Sequence, residues 1–290
     1  MAGTSLSTAR RANLFLKIGI AILAVAFALY PVVWIISASL NPANSLLNLS
    51  IIPEPASLAN FERLVSDPQY PFPLWIWNSI KVAAITSVLT VFLTALAAYS
   101  FSRFRYKGRR TGLLVILLIQ LFPNSLAIVS LFLLLQQIGN IPGLSWFGLN
   151  THGGLILIYA GGALGFNTWL MKGFFDSIPK ELDEVANIDG ATKWQVFWSI
   201  ILPLARPILV VIGILTFIGT YGEFLIARVI LKGTENYTLM VGLFLFNSGR
   251  AQEWGVITAA SLVGALPAVI LFFVTQRLLV SGLSSGAVKG

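Results

Sequence analysis

Few residues in this chain could make or break bonds. It has no cysteine and a single histidine, His152, which excludes disulfides, thiolate zinc sites and cysteine nucleophiles. No phosphate-cradling Gly-x-x-x-x-Gly-Lys-Ser/Thr loop is present. Lys107-Gly108, Lys172-Gly173 and Lys232-Gly233 run in the wrong order for one. Nucleophile elbows, metal-binding His-Glu-x-x-His helices and paired carboxylates within one apolar run are also missing. Neither catalysis nor a bound cofactor or metal is expected. What remains is a set of polar residues inside apolar runs. Gln120, Asn124 and Glu223 could line a pathway, and Asn167 and Lys81 keep them company. Ion-coupled carriers place ionisable groups at membrane depth. Here the charged pair, Lys81 and Glu223, falls near helix ends, so ion coupling is disfavoured. His152, beside Gly153-Gly154, reads as a structural hydrogen-bonder.

The elements that must position these residues follow from hydropathy. Of the 290 residues, 57% are hydrophobic and 10% charged, with a mean hydropathy of +0.84. Soluble domains carry about 25% charged residues, so this is an all-α polytopic membrane protein. Six runs approach the roughly 20 residues that cross a 30 Å hydrocarbon core: 15–37, 77–101, 113–135, 154–171, 208–227 and 256–275. The first is too long for the apolar core of a signal peptide, about 7–15 residues, and reads as an uncleaved anchor. With both termini in the cytoplasm, the inner segments and the mouth of the first span hold 14 of the 19 Lys and Arg. That asymmetry is the positive-inside pattern. It explains the net charge of +8 without nucleic acid. The layout is a cytoplasmic N-terminus (1–14), a six-helix transmembrane domain (15–275) with a cytoplasmic loop at 172–207, and a cytoplasmic tail (276–290).

Outside the membrane, loop 38–76 holds six of the 13 prolines, and Pro71 and Pro73 should lead stiffly into the second span. The apolar stretch 238–246 is too short to span and suits an interfacial or re-entrant element. Trp34, Trp75, Trp77, Trp146, Trp169 and Trp254 fall near span ends, as an aromatic belt does. Pro123 and Pro267 should kink their spans. Gly161 and Gly165 form a small-xxx-small pair suited to close helix packing.

The loop at 172–207 is the one substantial cytoplasmic insert. Glu181, Asp183 and Glu184 follow Pro179 and complement a helix N-terminus. Leu182, Val185 and Ala186 make an apolar stripe, and Gly190 fits a left-handed C-cap. Thr192 and Gln195 have capping-box spacing for a second helix. That helix gathers Trp194, Phe197, Trp198 and Ile201 before Pro203 and Pro207 end it. Two short helices meeting at a turn could lie on lipid or dock in a protein groove. The acidic first helix favours the groove, because anionic lipid repels it.

Glu184-Val185-Ala186, then Gly190, then Ile200 and Leu202-Pro203, resembles the EAA loop of binding-protein-dependent ABC importer permeases. Val185 replaces the usual Ala. Further stretches, including 73–79, 148–154, 237–239 and 282–290, are similar to maltose/maltodextrin permease subunits of that family. The resemblance implies a type I (MetI-like) permease fold in a bacterial cytoplasmic (inner) membrane. It also implies a MalF-like second permease, a homodimeric MalK-like ATPase and an extracellular sugar-binding protein as partners. On that resemblance Leu182, Val185 and Ala186 would insert into the ATPase, Glu184 would anchor, and Gly190 would turn. Ile200, Leu202 and Pro203 complete the motif. Gly286, Val288 and Lys289 in an extended tail would touch the ATPase, and Asn247, Gly249, Arg250 and Glu253 would meet the binding protein. The sugar itself is expected mainly on the other permease. The competing readings are a self-contained sugar facilitator or secondary carrier, and a membrane scaffold without a pathway.

Overall fold

The structure, a computed structural model, describes residues 3–43, 50–51, 53–247 and 253–287. Every regular element among the described residues is helical. One compact unit comprises Met1–Gln69 and Leu245–Val263; the other comprises Tyr70–Phe244 and Gly264–Gly290.

In the first unit, helix α1 (Gly3–Ser39) runs unbroken through Pro31, and a short α2 (Ala59–Ser66) follows the proline-rich loop. Asn60 Nδ2 donates to the carbonyls of Ser39 (2.9 Å) and Asn41 (3.0 Å), fastening α2 to the end of α1. Arg63 pairs with Glu253 at 2.8 Å. Glu253, expected to face a binding protein, therefore already has an intramolecular partner.

The second unit is organised on α3 (Phe72–Arg103), which has Pro73 in its first turn, where a missing N–H costs nothing. Its buried face is small and weakly polar. Ala83, Thr86, Thr90, Thr94 and Ala98 recur every three or four residues, which lets neighbouring backbones approach closely. Against it pack α6 (His152–Ser177) and α10 (Arg206–Tyr221). Thr151 caps α6 by accepting from the Gly154 amide at 3.0 Å. Ser87 Oγ donates to Gly213 O at 2.6 Å, tying α3 to α10.

The expected third span is not one helix. It consists of α4 (Arg109–Gln120) and α5 (Ile128–Gly139), joined through a 3₁₀ turn at Asn124–Ala127. Pro123 is extended, with ψ 120°, and it disfavours helix at the preceding residue. The break is therefore sharper than the expected kink. The fifth run also divides: α10 ends at Tyr221, and α11 (Leu225–Ile230) begins after Gly222-Glu223. Among the described residues, four helices are long and apolar enough to cross a bilayer alone, within α1, α3, α6 and α13 (Trp254–Ala287). A bent pair, Lys193–Leu204 with Arg206–Tyr221 at 76°, makes a fifth if it crosses as one. The six apolar runs are mainly helical, but among the described residues six continuous spanning helices are not seen. The 238–246 stretch is the nine-residue α12 (Leu239–Asn247), as short as expected. Helix α13 passes through Pro267 and continues to Ala287, so the tail from Ser281 to there is helical rather than extended. Adding residues to an existing helix carries no nucleation cost.

The aromatic belt needs one correction. Trp77, Trp146 and Trp169 are exposed, but Trp75 is fully buried. Its indole N–H donates to Thr234 O at 2.7 Å.

Candidate functional site

Two groups of residues stand out, one at the end of α3 and one between α4, α6 and α10. The first is the helix pair of the 172–207 insert. Helix α7 (Glu181–Ile188) begins with three acidic residues over the orphan N–H groups of its first turn. Pro179 lies two residues ahead of this helix rather than in its first turn. Gly190 follows with φ +84°, the left-handed geometry anticipated for it. Helix α8 (Lys193–Val196) then starts with a complete capping box. Thr192 N donates to Gln195 Oε1 (2.7 Å), and Gln195 N donates to Thr192 Oγ1 (3.3 Å).

After α8 the chain widens into a π-helical stretch, Phe197–Ile201, before the short α9 (Leu202–Leu204). Pro203 explains the widening. It has no N–H to give, and its ring crowds the carbonyl four residues back, a strain that a π bulge relieves. Phe197 and Ile201 are fully buried, whereas Trp194 and Trp198 are exposed. Ile200 and Leu202 are half-buried and Pro203 is exposed.

The exposed edge of α7 differs from the expected stripe. Leu182, Val185 and Ile188 face outward, at 41%, 58% and 85% exposure, whereas Ala186 is buried. Ala186 packs inward with Tyr99, Phe175, Val196 and Phe197. Its place on the outward edge is taken by Ile188. Glu184 is exposed and has no ion-pair partner among the described residues.

What holds this pair is a contact that sequence reasoning missed. Arg103 Nε lies 2.6 Å from Asp183 Oδ2, with the two side chains 6% and 11% exposed. Arg103 Nη2 also donates to Ile178 O at 3.0 Å. Nearby, Ser102 Oγ donates to Asp176 Oδ1 at 2.7 Å, and Tyr99 OH donates to Lys193 O at 3.1 Å. The last turns of α3 thus grip both helices of the insert. In the sequence Arg103 looks like one more topology-setting cation, and Asp183 like one more dipole-facing acid. The spacing that could have linked them is split across 80 residues of chain.

The second group lines a cavity of about 460 Å³. Gln120 and Glu223, expected as pathway residues, both reach it, together with Tyr159, Asn167, Thr216 and Thr220. Gln120 Nε2 donates to Gly162 O at 2.7 Å. Gly165 is where this side chain nests, since a Cβ there would sit 2.6 Å from Gln120 Cγ. Gly161 has open space instead, so only one of the small-xxx-small pair serves packing within the chain. Glu223 accepts from the amides of Ile226 (2.8 Å) and Ala227 (3.1 Å), and Tyr159 OH donates to it as well. The carboxylate thereby satisfies the orphan donors where α11 begins. Asn124 opens the 3₁₀ turn, but its side chain lies outside the described residues, as does that of Asn247. Gly249, Arg250, Val288 and Lys289 lie outside them altogether, and Gly286 falls in the last turn of α13.

His152 serves structure, as its surroundings in the sequence suggest. Its Nε2 is 2.9 Å from Asn236 O. Beside it Asn150, at φ +58°, accepts from Lys232 N (2.7 Å) and Asn236 Nδ2 (3.2 Å).

Known proteins similar to this chain identify its family. The maltose/maltodextrin transport system permease protein MalG of Vibrio vulnificus (strain YJ016) is 41% identical over 274 residues, covering 90% of this chain and 91% of that protein. The galactooligosaccharides transport system permease protein GanQ of Bacillus subtilis (strain 168) is 40% identical over 263 residues, covering 90% of each. A solved bacterial ABC transporter involved in the import of the acidic polysaccharide alginate has the same fold. Its TM-score is 0.75 at 23% identity, covering 92% of this chain and 97% of that one. A family model matches residues 90–284, more than half of the sequence, and the chain belongs to that family, the binding-protein-dependent transport system inner membrane components.

Proposed function

We propose that this chain is a permease subunit of an ATP-binding-cassette importer that moves a neutral, maltodextrin-like oligosaccharide into the cytoplasm. Its partners are a MalF-like second permease, a MalK-like ATPase dimer and a sugar-binding protein outside. ATP is hydrolysed on the partner. The insert, α7 through α9, receives the ATPase on its Leu182–Val185–Ile188 edge, with both termini on the same cytoplasmic side. The C-terminal residues Gly286, Val288 and Lys289 add to that contact, and residues 247–253 face the binding protein.

One observation carries this reading. An apolar edge, which an exposed cytoplasmic helix would not retain without a partner, is borne on a helix pair fixed rigidly to α3. Displacement of that edge by a closing partner must then move α3, and with it the helices packed on α3. The sugar class rests on the two relatives named for oligosaccharide transport.

Gly190→Val tests the coupling. A Cβ at Gly190 meets nothing within 4 Å, so at that atom the cost is that of its left-handed φ, about 1–2 kcal/mol. The expected result is a fully inserted chain that assembles with the ATPase but takes up sugar about five- to thirtyfold more slowly, the factor that about 1–2 kcal/mol represents. Hydrolysis should continue. Wild-type uptake by the variant would refute the coupling role.

A further inference from the structure

We propose that the cavity between α4, α6 and α10 is a glycosyl-binding subsite on this subunit, selective for neutral sugar units. The inference rests on the importer reading above, and departs from the expectation that the sugar is held on the other permease.

The cavity's volume, about 460 Å³, lies within the roughly 300–1,000 Å³ of small-molecule sites. Its walls suit a sugar ring, which presents C–H faces and a rim of hydroxyls. Phe166, half exposed, offers an aromatic face, and Leu215 and Ile158 extend the apolar wall.

The polar groups supply both senses of hydrogen bond. Gln120 spends one N–H on Gly162 O, leaving its carbonyl oxygen and second N–H. Thr220 Oγ1 and Asn167 Oδ1 make no hydrogen bond among the described residues. Glu223 Oε2 is occupied by Tyr159 OH and the Ala227 amide, but among the described residues Oε1 accepts only from Ile226 and keeps one acceptor position. An apolar cavity with a few convergent donors and acceptors has the make-up of a small-molecule site.

Charge narrows the solute. Among the described residues Glu223 is the only carboxylate lining the cavity, and no Lys, Arg or His lines it. A uronate carboxylate entering there would face Glu223 with no cation to compensate. A neutral glycosyl unit meets no such repulsion, and its hydroxyls can donate to Oε1. The fold's occurrence in an importer of an acidic polysaccharide makes this a distinction between subsites rather than between folds.

The chain's lack of cysteine provides the test. Ala163→Cys places a thiol in the cavity wall, and the complete transporter carrying it is reconstituted with its ATPase and binding protein. During ATP turnover the thiol is challenged with a small water-soluble methanethiosulfonate. Maltotriose should slow its labelling by about tenfold when present at about ten times its half-saturating concentration, by simple mass action. A uronic-acid trisaccharide should not slow it. Adding Thr220→Val should raise the maltotriose concentration needed for protection about fivefold, the loss of roughly one hydrogen bond. Should this variant fail to assemble, protection of the Ala163→Cys chain alone still decides.

Labelling that maltotriose leaves unchanged while uptake proceeds would overturn the subsite and spare the importer reading. A thiol closed to the reagent, with uptake intact, would do the same. Absence of ATP-dependent uptake before any substitution would overturn the importer reading and the subsite with it.

Discussion

Asp183→Ala should destabilise the chain by about 3–5 kcal/mol, because it leaves the Arg103 guanidinium buried without its counter-charge. The pair sits 2.6 Å apart with both side chains almost out of solvent. Arg103 would keep only its hydrogen bonds to Ile178 O and Ser102 Oγ. The readout is the thermal midpoint of the purified complex, together with the amount of chain that assembles. Replacing both partners, Arg103→Met with Asp183→Leu, should recover most of the stability, since an apolar pair of similar volume needs no counter-charge. Uptake by this double variant should remain impaired if the ion pair also transmits force from α7 to α3. A double variant as unstable as the summed singles would show that the two residues do not act together.

Trp75→Ala should be comparably severe, at about 3–5 kcal/mol for removal of a fully buried indole. Trp75 has no exposed surface, and it belongs to a larger fastening at the N-terminal end of α3. Asn78 Nδ2 donates to Glu235 O (2.9 Å) and Tyr237 O (3.1 Å), and Leu239 N donates to Ser79 Oγ (2.7 Å). Together these hold the segment that leads into α12. Trp75→Phe keeps most of the volume but strands the Thr234 carbonyl, a loss of about 1–3 kcal/mol. The exposed neighbour Trp77 is the control, and its replacement by alanine should lower the thermal midpoint far less. Equal effects at the two positions would place Trp75 in the belt after all.

These two positions also mark where the sequence stopped being legible. Short-range chemistry reads well. Gly190's left-handed φ, the Thr192–Gln195 capping box and the shortness of α12 all follow from residues within a turn or two of one another. Long-range pairing does not. In the sequence Arg103 belongs to a basic cluster that membrane topology already explains, so nothing nominates it as a buried partner at the end of α3. Trp75 and Trp77 are two residues apart on α3, and only tertiary packing separates the buried one from the exposed one.

Hydropathy likewise reports apolarity without reporting continuity. The run 113–135 is apolar enough to span, yet Pro123 divides it, and Gly222-Glu223 divides 208–227. Those interruptions bear directly on the cavity. Gln120 stands just before the first break and Glu223 inside the second, so the two broken helices bring their polar residues to the same place. Ile188 stands in the outward place expected for Ala186 for a simpler reason. The inward face of α7 is set by Asp183, which Arg103 draws in, and Ala186 follows three residues later on the same side.

The central claim is that an ATPase on a separate chain drives this permease through the α7 edge. Cross-linking from Val185 tests it most directly. With no native cysteine, Val185→Cys can carry a photoreactive probe uniquely in the tagged chain, purified in mild detergent from its native membrane. The expected result is a covalent adduct with a nucleotide-hydrolysing subunit from position 185 and none from Val129, which is exposed on α5. A chain that purifies alone, monodisperse, and transports sugar without ATP would contradict it.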